Sequence, residues 1–481
     1  MRSVGEGIAL GNSNGLTRRA LLANAAFGSA ALASSIGKAH GQSPAKPPNI
    51  VFIMADDLGY ADVSCYGRPD FETPNIDRIA ARGTRFLQGY ANSAVCSATR
   101  TALITGRYQY RLRIGLEEPL QVGKPDIGLP PEHPTLPSLL KKAGYDTALI
   151  GKWHLGILPK FGPLKSGYDH FYGFHGGGID YFNHQGTDHK EDFWNDDAAL
   201  HETGYTTELF GARAVETINA YARGSRPFLL SLHFNAPHWP WEGITDEAES
   251  ERLRTKTIQD FDGGSQRTYQ HMIQTMDLQI GRVLQALEAN GLTENTIVVF
   301  TSDNGGERFA DTWPFTGRKE ELLEGGLRIP AIVSWPAHIP EGRTSDQVMI
   351  SMDWLPTFLA AAGAAPDPAF PPDGMSLLPV LTQGAAITPR KLYWRYKNMT
   401  QQALRDGDFK YLKIKDNTFL FDVAGDPMER ANLKERRKDI YDRLVADWNA
   451  WNARMLPLAP ESSTGGFTGA QLADHFGVEA R

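Results

Sequence analysis

Cysteine is nearly absent: Cys65 and Cys96 are the two in 481 residues. So few thiols exclude a disulfide-stapled scaffold, and no Cys/His set has the spacing of a zinc site. One bridge between the two stays open, although a chain this long buries its own core without a staple. Excess positive charge is lacking too. Lys and Arg number 49 against 56 Asp and Glu, a net charge of −7. No electrostatic footprint for nucleic acid follows from that balance, and no nucleic-acid partner is expected. Long apolar runs are missing. Leu21 to Ile36 is shorter than the roughly 20 residues a spanning helix needs, and no later run reaches that length. No internal repeat is visible. What the chain does have is 41% hydrophobic residues, enough for a substantial core.

The N-terminus reads as an address. Thr17-Arg18-Arg19-Ala20-Leu21-Leu22 places paired arginines before the short apolar run, the pattern of a twin-arginine signal. Residues 1–41 are assigned to it. The small-x-small triplet Ala39-His40-Gly41 is a candidate cleavage site, and an uncleaved anchor is the alternative. The expectation is a periplasmic or secreted protein that uses the twin-arginine export machinery. That route carries folded chains, so covalent modification and metal loading could precede export.

Ile50-Val51-Phe52-Ile53-Met54-Ala55 is an unbroken apolar run, the pattern of a strand buried on both faces. Similar runs lie at 147–151, 226–234, 296–301 and 329–335. Helical patterns lie around 75–83, 136–144 and 269–289, the last with Met272, Met276, Ile280, Val283 and Leu284 on one side. The alternation predicts an α/β fold, a large mostly parallel sheet sandwiched by helices. Residues from about 161 to 206 are rich in Gly, His and aromatics and are expected to form a binding loop. Within it His175, His184 and His189 either line a substrate pocket or decorate the insertion. Residues 366–389 are Pro/Gly-rich and read as a linker. Beyond it, alternating segments at 391–396 and 409–414 and a helix around 441–455 with Trp448 and Trp451 predict a small C-terminal antiparallel sheet packed on a helix. The expected layout is a catalytic domain over 46–385, an α+β subdomain over 386–460 and a tail over 461–481.

Chemistry-bearing residues sit at strand ends. Asp56 and Asp57 follow the first strand; Asp303 and Asn304 follow the fourth. Ligand sites in open α/β sheets lie beyond the carboxyl ends of the strands, and adjacent carboxylates are costly unless something positive sits between them. Three carboxylates and an amide are hard donors suited to Ca²⁺ or Mg²⁺. Between these pairs in sequence, residues 93–107 read as a loop turning into a helix. Ser97 and Thr99 are candidate N-caps, and Gly106 is a candidate stop. Cys96 then lies at the helix N-terminus, where free N–H groups favour an anion, and Arg100 projects from the same face. The bland alternative for Cys96 is a small buried thiol.

Cys96-Ser97-Ala98-Thr99-Arg100, followed by Leu103-Ile104-Thr105-Gly106-Arg107, resembles the signature of the sulfatase family, and the likeness runs from Asn49 to about Leu456. It implies that a formylglycine-generating maturation enzyme converts Cys96 to formylglycine, whose hydrated aldehyde is the nucleophile. Met54-Ala55-Asp56-Asp57-Leu58-Gly59 and Thr301-Ser302-Asp303-Asn304-Gly305 match the settings of the family's metal ligands. Asp56, Asp57, Asp303 and Asn304, with the modified residue 96, are thus expected to hold Ca²⁺ (or Mg²⁺). A diol oxygen is a hard ligand and a thiolate a soft one, so the donor set favours the modified residue. The resemblance places Lys152 against that residue, His154 against its second hydroxyl, His238 near the leaving oxygen and Lys319 on the sulfate, with Arg318 a second candidate. Cys65 is read as structural.

The implied activity is hydrolysis of aryl or carbohydrate sulfate monoesters. A hydroxyl attacks sulfur while the metal, Arg100, Lys152 and Lys319 stabilise the sulfuryl oxygens. His238 or Lys319 protonates the leaving alcohol, and His154 then drives elimination of sulfate. A phosphonate or phosphodiester hydrolase on the same fold competes with this reading, as does a non-catalytic binder that kept the pocket.

Overall fold

The computed structural model describes residues 46–473; the expected signal, residues 1–41, and the end of the tail, 474–481, lie outside the described residues. The framework is a ten-stranded sheet of β1 (Asn49–Ala55), β2 (Gly83–Phe86), β3 (Asp146–Lys152), β4 (His170–Phe174), β5 (Trp194–Asn195), β6 (Ala198–Ala199), β7 (Phe228–His233), β8 (Thr296–Ser302), β9 (Ala331–Ser334) and β10 (Arg343–Ser345). Their order is β10-β2-β9-β8-β1-β7-β3-β4-β5-β6. Five adjacent strands, β8-β1-β7-β3-β4, are parallel, as expected of a mostly parallel sheet.

The unbroken apolar run of β1 has a direct packing cause. Successive side chains point to opposite faces, and both faces are covered. Val51 and Ile53 pack with Met272, Met276 and Ile280 of α5 (Gln266–Ala289), together with α1 (Pro74–Ala81) and α4 (Thr206–Tyr221). Ile50, Phe52 and Met54 pack with Leu103 and Ile104 of α2 (Cys96–Thr105) and Leu139 of α3 (Leu136–Lys142). The same layer takes Phe358 of α6 (Trp354–Ala361) and Leu381 of α7 (Leu378–Gln383). A separate four-stranded antiparallel sheet, β11 (Lys391–Tyr396), β12 (Gln401–Asp406), β13 (Phe409–Ile414) and β14 (Asn417–Asp422), packs on α8 (Lys438–Asn452) through Trp448 and Trp451. Its core is continuous with Val95, Ala98 and Ala102 of the α2 segment.

Several expectations need correcting. The strand expected at 329–335 is β9, and it runs antiparallel to both β8 and β2. The helix expected over 75–83 stops at Ala81, because Gly83 opens β2 where a Cβ would strike the Val333 carbonyl. The insertion at 161–206 is not all loop, since His170–Phe174 is strand β4 inside the sheet. The linker expected at 366–389 contains α7, whose Leu381 and the preceding Leu377 are buried. Ser97 and Thr99 do not cap α2. Val95 holds the N-cap position, and Thr99 Oγ1 instead bonds the backbone of Ser93 in both directions, at 2.9 and 3.1 Å. Gly106 does end α2, with φ +66°.

Candidate active site

Sheet register brings the strand-end residues together. β1 and β8 pair with Ala55 opposite Ser302, so Asp56-Asp57 and Asp303-Asn304 leave the sheet side by side. β3 and β7 pair with Gly151 opposite His233, which sets Lys152 beside the same point. Asp57 then turns into the left-handed region at φ +61°, and His154 does so at φ +57°. Such backbone is costly for residues other than glycine and persists where the surroundings over-determine it. The turn at Asp57 lets its N–H donate to Asp303 Oδ1 at 3.2 Å while its Oδ1 accepts from Asn304 Nδ2 at 2.7 Å.

Three buried acids face three buried cations. Asp56, Asp57 and Asp303 are 0% exposed. Arg100 Nε and Nη2 donate to Asp303 Oδ2 at 3.0 and 2.8 Å, Lys152 Nζ donates to Asp56 Oδ2, and Lys319 Nζ donates to Asp57 Oδ2 at 2.6 Å. Burial of single charges is expensive, and this pairing compensates it. Burial lifts the Asp56 carboxyl to about 8, with Asp303 adding to the rise. Burial also works against an ionised Asp303, but Arg100 and Lys152 outweigh it and hold that carboxyl below the usual range. For Lys319 burial opposes the charge, and Asp57 and neighbouring groups outweigh it and hold the ammonium well above its usual value.

Two acceptors are left over. Asp56 Oδ1 and Asn304 Oδ1 are buried and have no hydrogen-bond partner among the described residues. Buried acceptors normally find a donor or a cation. Ligand atoms of Asp56, Cys96 and Asp303 lie within 4.8 Å of one another, as do those of Asp56, Asp57 and His238. The residues therefore fit a bound metal ion, and the oxygen donors fit a hard one.

Cys96 is the first residue of α2 and lies 2% exposed at the floor of a cleft of about 560 Å³. Burial pushes its thiol up to about 11. Cys96 and Cys65 are both free, so the bridge left open above does not form. His154 and His238 both contact this floor. Burial pushes His154 well below its usual value, helped by Lys152, and does the same to His238, helped by Lys319. His154 Nε2 lies 2.9 Å from the Leu120 carbonyl, which assigns the proton to Nε2 and leaves Nδ1 as a lone pair. His238 Nδ1 lies 2.7 Å from the Trp239 carbonyl, so Nε2 carries the lone pair there, 3.5 Å from Asp57 Oδ2.

The structure thus brings Asp56, Asp57, Cys96, Arg100, Lys152, His154, His238, Asp303, Asn304 and Lys319 to one place. Lys319 lines the cleft, and Arg318 does not. The three undecided histidines stay out of it. His175 packs against Phe171 and Trp194, His184 bonds the Gly204 carbonyl at 3.0 Å, and His189 is exposed. The insertion contributes backbone instead: a Cβ at Gly177 would come within 2.8 Å of the His154 ring, and one at Gly178 within 3.0 Å of His238. Sequence reasoning missed His233, whose Nδ1 is 3.5 Å from Arg100 Nη1, and missed the tail residues 464–471 that line the cleft. The Gly465-Gly466 pair was the one available signal for that close approach.

Comparison with known proteins agrees across most of the chain. The family model described as Sulfatase matches residues 48–364, and that described as N-sulphoglucosamine sulphohydrolase, C-terminal, matches residues 317–450. N-acetylgalactosamine-6-sulfatase of Homo sapiens is 35% identical over 378 residues, 73% of this chain and 69% of that protein. Arylsulfatase A of Homo sapiens is 32% identical over 424 residues, 81% and 79% of the two chains. The crystal structure of Ps i-CgsB in complex with k-i-k-neocarrahexaose has a TM-score of 0.77 at 30% identity, covering 89% of this chain and 98% of that one. The phosphonate monoester hydrolase of Agrobacterium radiobacter, at 21% identity and a TM-score of 0.59 over 85% of this chain and 95% of that one, shares the fold.

Proposed function

The chain belongs to the sulfatase family and is an enzyme that hydrolyses sulfate esters, and from that premise we propose that its nucleophile is formylglycine made from Cys96 by a maturation enzyme. The observation that carries the reading is the position of Cys96: a helix N-terminus, at the floor of the cleft, against Asp56 and Asp303. A thiol raised to about 11 is protonated at neutral pH and is a poor nucleophile as encoded.

Asp56, Asp57, Asp303 and Asn304 would hold Ca²⁺ (or Mg²⁺) beside the modified residue. With both groups in place, the diol supplies the attacking hydroxyl and the dication polarises the oxygens around sulfur. The remaining work falls to this chain's side chains. Lys319 reaches the cleft and binds the sulfate, while Lys152 holds Asp56 and Arg100 holds Asp303 in register. Lys319 Nζ, which is protonated, delivers a proton to the leaving oxygen; His238 is the alternative donor, and its Nε2, a lone pair at rest, would have to gain that proton first. His154 Nδ1, an open lone pair on a neutral ring, takes the proton that must leave residue 96 for sulfate to be expelled.

The substrate we propose is a sulfated carbohydrate, in keeping with the names of the relatives above. Export by the twin-arginine machinery to the periplasm or beyond is proposed from Arg18-Arg19 and the apolar run behind them. Replacing both arginines by lysine should trap the protein in the cytoplasm; unchanged export would end that proposal. The central test is the mass of the Cys96 peptide from active protein, followed by release of sulfate from 4-nitrophenyl sulfate in parallel with an aryl phosphonate ester. Active enzyme with an intact thiol at position 96 would refute the formylglycine reading. Preference for the phosphonate would replace the sulfatase assignment of this site.

A further inference from the structure

The chain that leaves the small C-terminal subdomain runs along one side of the cleft. Its start is clamped: Lys397 Nζ donates to the Ala459 carbonyl at 3.2 Å and to the carbonyls of Pro460 and Ser462, both at 2.6 Å. The next residues are stitched to the loop that leads into the cleft. Ser463 N donates to Glu117 Oε2 at 2.8 Å. Glu118 N donates to the Ser463 carbonyl at 3.0 Å, and Gly465 N donates to the Glu118 carbonyl at 2.7 Å, forming a parallel bridge. From there the chain crosses to a second rim. The Phe467 ring is buried and meets Phe261 edge to face at 6.3 Å. Arg308 fixes that rim, its Nη1 and Nη2 donating to the carbonyls of Phe261 and Gly263 at 2.5 and 2.9 Å. Past Phe467 the chain closes into a turn, with Gln471 N donating to the Thr468 carbonyl at 3.0 Å.

The 119–122, 464–471 and 257–261 segments all contribute to the lining of the cleft, so they make one continuous wall, tied at both rims, above Cys96 at the floor. That wall limits what can stand on the floor. The sulfur of a substrate must descend to residue 96 before it can react. A ring inside a polysaccharide carries chain on two sides and needs two ways out of the cleft. The wall takes one of them away. A ring at a chain end needs one way out alone. The volume agrees, since about 560 Å³ falls within the roughly 300–1,000 Å³ of sites that engulf a small ligand. Exclusion of this kind works by a clash with the wrong substrate and adds no contact to the right one.

We propose that residues 459–471 form a strap, clamped by Lys397, that confines the enzyme to sulfate esters on the terminal rings of an oligosaccharide. This rests on the sulfated-carbohydrate reading above and adds where in the sugar chain the ester must lie. The experiment uses matured full-length enzyme and three probes: 4-nitrophenyl sulfate, a tetrasaccharide with one sulfate on a terminal ring, and the same tetrasaccharide with that sulfate on an internal ring. The terminal ester should lead the internal one in kcat/KM by about a hundredfold. Lys397 does not line the cleft. Lys397→Ala should speed amide exchange across 459–468 and narrow the ratio about tenfold by raising turnover of the internal ester. Its kcat/KM for 4-nitrophenyl sulfate, which carries no sugar chain, should stay within about twofold of the parent. Equal turnover of the two tetrasaccharides by the parent overturns the proposal. So does an unchanged ratio in Lys397→Ala protein whose strap exchanges faster. If that variant does not fold or its strap stays closed, the parent's ratio decides alone. Turnover of 4-nitrophenyl sulfate without a terminal preference sinks the strap and spares the sulfatase reading; no turnover of any sulfate sinks both.

Discussion

With its thiol raised to about 11, roughly one Cys96 in ten thousand would be thiolate at pH 7, so the encoded side chain is nearly inert where it stands. Cys96→Ser keeps the volume and neutrality of the site. It should melt within about 2 °C of the parent while sulfate release falls at least about a thousandfold, because a plain alcohol has no second hydroxyl to lose. Sustained turnover by that variant would contradict the scheme. A second residue-scale prediction concerns Glu118. Its Oε2 accepts from Lys397 N at 2.7 Å, its Oε1 is buried without a partner among the described residues, and burial raises the carboxyl from 4.5 to about 8. Between those values the native state holds a proton that the unfolded chain has released, so stability falls as pH rises through the window. Glu118→Gln should flatten that fall, and melting curves at about pH 5 and about pH 8.5 should diverge for the parent and converge for the variant. Single residues were partly legible in sequence. Asp56, Asp57, Asp303 and Asn304 could be read because each pair ends an apolar strand. The bond from Arg100 to Asp303 spans 203 positions and leaves no local trace. Ser97 and Thr99 misled because a Ser/Thr-rich junction offers several competing acceptors, and Ser93 took the one that mattered.

At the level of elements, buried strands announced themselves and their direction did not. An apolar run covered on both faces looks the same whichever way it points, which is why β9 was read without its antiparallel sense. Strand β4 was hidden by its composition, His170-Phe171-Tyr172-Gly173-Phe174, where aromatics and a glycine imitate a loop. Gly173 is needed there because a Cβ would strike the Gly151 carbonyl of the neighbouring strand. The contact between the small sheet and the 324–328 segment was equally invisible. Lys410 on β13 lies 2.9 Å from both Glu324 Oε1 and Glu429 Oε1, and Glu324 Oε2 accepts from Arg328 Nε at 2.7 Å and Tyr90 OH at 2.6 Å. All of these side chains are buried. Lys410→Ala would leave Glu429 without its cation and Glu324 Oε1 without its donor in a dry interface, at a cost of about 3–5 kcal/mol. Denaturant melts of the variant should show that loss, whereas a change below about 1 kcal/mol would mean the network is solvated and of little structural weight.

Across the whole molecule, the site is assembled from segments that share no local sequence. β1 and β8 bring carboxylates from positions 56 and 303 together, and the packing of the small sheet against α2 closes the helix that presents Cys96. The unfolded chain has no such constellation, so an ion held by Asp56, Asp57, Asp303 and Asn304 binds the native state alone and stabilises it by mass action. At a free concentration about a hundred times its dissociation constant the gain is about 2.7 kcal/mol, enough to move the melting temperature by a few degrees. Stripping the protein with a chelator should therefore lower its melting temperature as well as abolish sulfate release, and adding back Ca²⁺ or Mg²⁺ should restore both over the same concentration range. The orphaned acceptors Asp56 Oδ1 and Asn304 Oδ1 are what such an ion would satisfy. Asn304→Ala removes one of them, and it should weaken the metal-dependent shift while leaving the melting temperature of stripped protein within about 2 °C of the stripped parent. A stripped protein that melts where the loaded one does, and whose activity returns without added metal, would mean that these oxygens gather around something other than a cation.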